Sequence, residues 1–209
     1  MSLFLELLNI TKSFPKTLIC ENISYTFQPG CYALLGPNGI GKTVFLEMLA
    51  GVACQDAGSI YLTGAGKSTS VAYKKKLVYV PSKPLFFPTA TGKEFLDFIL
   101  SIKNKKNCGI NTENLDAVLT QFGLLPYLHK PFHVMSLGTQ KKLFLSTLAI
   151  GKNDLIVLDE PSNALDEQAC DFLCSLINRF AEHAIVIIAT HDMQWVSRIR
   201  PTVLNAFDF

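Results

Sequence analysis

Gly36-Pro37-Asn38-Gly39-Ile40-Gly41-Lys42-Thr43 is the stretch whose reading decides the fold. The apolar run Cys31 to Leu35 before it reads as a buried strand, and Val44 to Ala50, closed by Gly51, reads as a helix. A glycine-rich turn between a strand and a helix aims successive amide N–H groups at one point and adds the positive end of the helix dipole. With Lys42 reaching the β- and γ-phosphates and Thr43 supplying a hydroxyl to Mg²⁺, such a loop holds a nucleoside triphosphate.

The second informative stretch is Leu155-Ile156-Val157-Leu158-Asp159-Glu160-Pro161. An apolar strand ending in two acids sets both carboxylates at the edge of a parallel sheet where a phosphate loop opens. There Asp159 is suited to hold Mg²⁺, and Glu160 to polarise the water that attacks the γ-phosphate. Thr190-His191-Asp192 follows another apolar strand, so His191 is expected at the same edge. Ser136 is a good cap for the helix that opens at Met135-Ser136-Leu137-Gly138, and the amide groups behind it form an anion site.

Working outward, the hairpin-like start (strands near 3–10 and 23–28 around Phe14-Pro15-Lys16) precedes the phosphate-loop strand. Ser59 to Leu62 reads as a short strand. Gly64-Ala65-Gly66-Lys67-Ser68-Thr69 imitates a second phosphate loop, but Tyr61 stands where its first glycine belongs and no apolar helix follows, so it reads as a flexible loop. Leu77 to Val80 is a strand, and Thr91 with Glu94 caps a helix running to about Ile102. Asn111 or Thr112 caps another, Pro126 and Pro131 interrupt the chain, and from Asp154 onward strands and helices alternate to a last strand at Thr202 to Phe207. The pattern predicts one α/β domain over 1–209. Its core, 1–84 and 151–209, has a mostly parallel sheet and an antiparallel β part near the N-terminus, with an α-helical subdomain inserted at about 85–150.

Composition excludes several classes. A net charge of +2 with only short basic runs, Lys74 to Lys76 and Lys103 to Lys106, gives nucleic acid little support as the main partner, and those lysines read as solvated surface. The six cysteines show no C-x-x-C pair and no matching histidine spacing, which argues for reduced thiols rather than zinc or disulfides. Met1 to Ile10 carries Glu6 and lacks the pattern of a signal peptide, and no apolar run is long enough to span a bilayer. Hydrophobic residues nevertheless make up 49% of the chain, high enough that a partner is expected to cover some apolar surface.

In this order, the phosphate loop, Met135 to Gly138, Leu155 to Pro161, Ser162-Asn163-Ala164-Leu165-Asp166 and His191 resemble the ATP-binding cassette (ABC) ATPases over nearly the whole chain. The resemblance implies a P-loop NTPase fold that takes ATP and Mg²⁺. Gly36, Pro37, Asn38, Gly39, Ile40, Gly41, Lys42, Thr43 and Val44 would contact nucleotide, and Thr43 and Asp159 the metal. Glu160 would be the general base, His191 the switch histidine and Lys42 a catalytic cation. Phe14 looks like the aromatic that stacks on adenine, with a plain core phenylalanine as the other reading. Two copies, or paired cassettes, would close head to tail so that Ser136 and Gly138 of one cover the ATP of the other, with Asp166 in the loop that crosses the interface.

The departures from the family pattern are Ser82 for the usual glutamine after the Leu77 to Val80 strand, Leu137 and Thr139 within the signature, and Val44 for a hydroxyl residue. The implied function is the ATP-hydrolysing subunit of a membrane transporter, similar to small bacterial export cassettes such as the haem-exporter type. It would sit in the cytoplasm, peripheral on the inner face of the membrane, against a separate integral permease subunit. The alternatives are a soluble cassette acting on nucleic acid or the ribosome, and an ATP-binding module with weak hydrolysis.

Overall fold

The computed structural model describes residues 2–103 and 112–205, arranged as two sheets with helices between and around them. The antiparallel sheet begins with β1 (Leu5–Phe14) and β2 (Thr17–Phe27), a hairpin whose strands run to the Pro15-Lys16 turn and are longer than the sequence indicates. Leu5 and Leu7 point inward; the register then shifts before Ile10, and Asn9 adopts a left-handed conformation (φ 50) that an asparagine tolerates. Across β1 from β2 lies β4 (Ala57–Leu62), and β5 (Gly66–Lys67) closes this sheet.

The flexible loop expected at Gly64 to Thr69 is instead an ordered reversal. Gly64 and Gly66 at positive φ turn the chain back on β4, and Ala65 and Ser68 are buried. Ser70 then caps a helix that the sequence reading lacks, α2 (Val71–Lys76), by accepting a hydrogen bond from the Tyr73 amide.

The parallel sheet has the order β6-β7-β8-β3-β9, with β3 at Gly30–Leu35, β6 at Leu77–Val80, β7 at Leu155–Asp159, β8 at Ile185–Ala189 and β9 at Thr202–Asn205. In β7 and β8 every residue is buried, and period-2 alternation divides them between two cores. Leu155, Val157, Ile185 and Ile187 pack with the antiparallel sheet and α1 (Lys42–Leu49). Ile156, Leu158, Val186 and Ile188 face α6 (Glu167–Ala181), α7 (Met193–Ile199) and the helical insert. The continuous apolar runs in the sequence follow from this two-sided burial.

Between β6 and β7 the described chain is helical: α3 (Gly92–Lys103), α4 (Thr112–Gln121), α5 (Leu137–Ser146) and short 3₁₀ turns. The Thr91/Glu94 box is present in both directions, Thr91 N–H donating to Glu94 Oε2 at 2.8 Å and Glu94 N–H to Thr91 Oγ1 at 3.2 Å. Rings of Phe86, Phe95, Phe132 and Phe144 hold the insert together.

The basic runs are not simply solvated. Lys74 bonds the carbonyls of Ala50 and Gly51 at the end of α1, Lys76 pairs with Asp154 at 2.5 Å, and Lys103 is buried against the carbonyls of Lys75 and Leu77. The reason is local: these strand and helix ends leave carbonyls that a nearby ammonium can satisfy. Lys105, Lys106, Cys108, the Asn111 cap and the end of the last strand at 206–207 lie outside the described residues.

Candidate functional site

Strand order explains the site. β3, β8 and β7 are neighbours and all parallel, so the segments leaving their carboxyl ends must open side by side. The phosphate loop leaves β3, Thr190 and His191 leave β8, and the acid pair ends β7. The resulting cleft has a volume of about 490 Å³.

One wall is the loop itself. Gly41 caps α1 at φ 108, and a Cβ there would come within 2.7 Å of the Ile19 side chain, so glycine is required both for conformation and for packing. Asn38, Gly39, Gly41, Lys42, Thr43 and Val44 line the cleft, whereas Gly36, Pro37 and Ile40 are not among its lining residues. Lys42 Nζ donates to the carbonyls of Gly36 (2.6 Å) and Pro37 (3.0 Å), so the ammonium is folded back over its own loop.

The opposite wall carries the acids. Thr43 Oγ1 donates to Asp159 Oδ2 at 2.9 Å, joining the start of α1 to the end of β7. Glu160 adopts a left-handed backbone (φ 46), a conformation that costs a non-glycine residue about 1–3 kcal/mol and is retained where the surroundings over-determine it. Its amide donates to Ala189 O at 2.8 Å, and its carboxylate accepts from Thr190 Oγ1 at 3.0 Å and lies 2.9 Å from His191 Nδ1. The Glu160 carboxylate, as hydrogen-bond partner and as charge, raises the pKa of His191 above its ordinary 6.5.

The donor set fits a hard divalent cation. Thr43 Oγ1 and Asp159 Oδ2 are spaced like neighbouring ligands of an octahedral ion with bonds of about 2.1 Å. Among the described residues no group of three or more His, Cys, Asp or Glu side chains forms a metal site, so phosphate and water oxygens would complete the shell, as Mg²⁺ prefers.

Other expected residues lie elsewhere. Ser136 caps α5, accepting from the Thr139 amide at 3.2 Å, and with Gly138 lines a second depression of about 330 Å³ shared with Lys142 and Asp166. Phe14 is 48% exposed at the hairpin end, with Lys12 Nζ 5.3 Å from its ring centre. That exposure removes the core reading, and Phe14 is not among the residues lining the cleft.

Ile19, Asn163, Thr190 and Lys141 belong to the site's surroundings, yet the sequence reading assigns none of them a role there. Of these only Thr190 carried a signal, as a hydroxyl between an apolar strand and a histidine. Ser82 does line the cleft, while its carbonyl and that of Pro81 are taken by the buried Lys141.

Comparison with known proteins places the chain. The family model described as ABC transporter matches residues 20–163. The ABC transporter ATP-binding protein YybJ of Bacillus subtilis (strain 168) is 31% identical, with 91% of this chain and 86% of that protein covered. YxlF of the same organism is 32% identical over 90% of this chain and 62% of its own length. ABC transporter A family member 6 of Arabidopsis thaliana is 32% identical over 86% of this chain but only 20% of its own length.

Among solved structures, an ATP-binding subunit of an ABC transporter superposes with a TM-score of 0.85 at 20% identity, covering 97% of this chain and 86% of the other. A dimeric post-hydrolysis state of the ATP-binding cassette MJ0796 bound to ADP and Pi gives 0.80 at 18% identity, covering 93% and 90%. At these identities the structural matches establish the fold. No helix of the described residues is long and apolar enough to cross a membrane.

Proposed function

The chain belongs to the ABC transporter family as an ATP-binding, ATP-hydrolysing cassette, and from that premise we propose that it powers a separate integral membrane permease by head-to-tail pairing of cassettes. The observation that carries the reading is the convergence of Lys42, the Thr43–Asp159 bridge and the Glu160–His191 pair on one cleft.

In this reading Lys42 exchanges the Gly36 and Pro37 carbonyls for the β- and γ-phosphates, gaining charged partners for neutral ones. Thr43 and Asp159 hold Mg²⁺, which when bound neutralises charge developing on the phosphate oxygens. Glu160 takes the proton of the attacking water, and Thr190 and His191 hold its carboxylate toward the cleft. His191 is 56% exposed on its side chain, so it is accessible to a γ-phosphate while paired to Glu160.

The cleft is one half of the proposed site. Ser136 and Gly138 open on a different depression, which suits a partner cassette whose ATP they would cover, with Asp166 nearby at the interface. Residues 85–150 are proposed to act as one inserted subdomain within a core of 1–84 and 151–209. Its exposed Leu85, Phe87, Phe98 and Val134, close in sequence to Ser82 or on the same insert, give a permease an apolar surface to cover. Docking there would hold the protein on the cytoplasmic face of the membrane.

The deciding experiment is ATP turnover of the wild type beside Glu160→Gln with ATP affinity measured for both. Turnover that disappears in the variant while ATP still binds is the expected outcome. Equal rates, or a wild type that binds without turnover, would favour a module that closes on ATP without using it.

A further inference from the structure

α5 sends one charged side chain into the interior. Lys141 is 1% exposed, although packing alone would favour an apolar residue there. Its Nζ donates to Pro81 O at 2.7 Å, Asp159 O at 3.0 Å and Ser82 O at 3.3 Å. The three donors of an ammonium thus meet three backbone carbonyls. Among the described residues Lys141 forms no ion pair. Burial pushes its pKa down to about 8, while the nearby Asp159 and Glu160 carboxylates act in the opposite direction.

A cation taken from water, with only carbonyl dipoles as direct partners and the Asp159 and Glu160 charges acting from a distance, is an expensive way to fill space, because a methionine of similar length would fill it without desolvating a charge. The charge therefore needs a reason beyond volume, and the position of the three carbonyls supplies one. β6 and β7 are paired as far as Val80 and Leu158. Pro81, which has no N–H to donate, ends the ladder on the β6 side. Just beyond that point the two segments become opposite parts of the cleft, Ser82 on one and Asp159 on the other. Lys141 spans the gap where strand pairing stops. Five residues earlier on the same helix, Ser136 borders the second depression.

We propose that Lys141 is a positioning residue for ATP hydrolysis: its ammonium, clamped by the carbonyls of Pro81, Ser82 and Asp159, fixes the separation of the Ser82 turn from the acid-bearing end of β7 and ties both to α5. The proposal rests on the hydrolysis reading above. Lys141 touches neither substrate nor metal; it acts through the backbone of Asp159, whose side chain carries the metal oxygen. Seating of the Ser136 end of α5 against a partner is thereby transmitted to Asp159 and Glu160 through one buried clamp.

The test compares full-length wild type, Lys141→Met and Lys141→Arg for kcat and KM with Mg²⁺ and ATP, ATP affinity by calorimetry in a Glu160→Gln background, and thermal melting. Loss of the clamp should lower kcat of Lys141→Met about 10-fold, the scale of a small misplacement of catalytic groups, with KM and ATP affinity within about twofold of wild type. Lys141→Arg, which keeps charge and donors, should recover a large part of the lost rate. Should Lys141→Met fail to fold, Lys141→Gln is read by the same criteria.

The proposal is overturned by a variant that turns over within about twofold of an active wild type. It is equally overturned if the Met and Arg variants lose melting temperature, affinity and rate in parallel, which is the behaviour of a purely structural residue. A wild type without turnover would remove the hydrolysis reading and this one together, whereas parity of the variant with an active wild type removes this one alone.

Discussion

The phosphate-loop cleft and the Ser136 depression are both built around a helix start, yet they are chemically unequal. In the first, α1 begins at a left-handed glycine and faces two acids and a histidine delivered by neighbouring strands. In the second, α5 begins at a serine cap and faces loop backbone and Asp166, whose carboxylate is already taken by Lys142 and the Ala169 amide. A helix N-terminus supplies an anion site in either place; only parallel strand order supplies chemistry, because it gathers segments that are far apart in the chain. The contrast fits the proposed division of the chain into one reactive half and one covering half.

The strongest way to break that contrast is to disable the reactive half. Glu160→Gln should lower kcat by about 10²–10⁴ while ATP still binds, as measured by phosphate release beside calorimetry. A rate within about threefold of wild type would show that the base lies elsewhere.

The next test sharpens the assignment of the covering half. Ser136→Ala should lower turnover about 10-fold or more, the value of one hydrogen bond to a charged phosphate, yet leave ATP affinity of the isolated chain unchanged. Mixing Ser136→Ala with Lys42→Ala chains should then recover activity that neither has alone, because one of the two composite clefts in a mixed dimer is intact. No recovery on mixing would mean that Ser136 serves its own chain.

Asp166 separates local structure from function in the covering half. Its carboxylate caps α6 by accepting from the Ala169 amide at 2.8 Å, and it pairs with Lys142, which together hold its pKa low. Asp166→Ala should cost about 1 kcal/mol, or about 2–4 °C in melting temperature. Because the folded pKa is depressed, the contribution is present above the unfolded carboxylate pKa and fades as pH falls through the folded value.

The smallest effect is the pH response of His191. Its pKa is raised by Glu160, so the pair stabilises the fold fully below pH 6.5, and the contribution is lost as pH rises through the folded pKa. An NMR titration of His191 should give a midpoint above 6.5 that moves down in Glu160→Gln. A midpoint unaffected by that substitution would disconnect the pair.

Much of this architecture was legible because the signals are local. The Thr91/Glu94 box, the Ser136 cap and the apolar runs Leu155 to Leu158 and Ile185 to Ala189 each express one backbone requirement within a few residues. The misses are of two kinds. α2 is short, lysine-rich and without an apolar stripe, so only its Ser70 cap marks it, and the glycines before it look like looseness when they in fact make a turn. Lys141, Lys74 and Lys103 look like surface charge because a lysine's partners, when they are backbone carbonyls, leave no pattern in the sequence.

The sequence by itself determined that a phosphate loop, an acid pair and a histidine each follow an apolar strand, since strand period, glycine freedom and capping act over neighbouring residues. Only the tertiary structure decided that β3, β8 and β7 stand side by side and that Glu160 is bent into a left-handed turn against Thr190 and His191. It alone placed Ser136 and Gly138 in a separate depression and Lys141 beneath the cleft. The physical reason is that adjacency across a sheet, and the burial of a charge among carbonyls, are set by packing between segments distant in the chain.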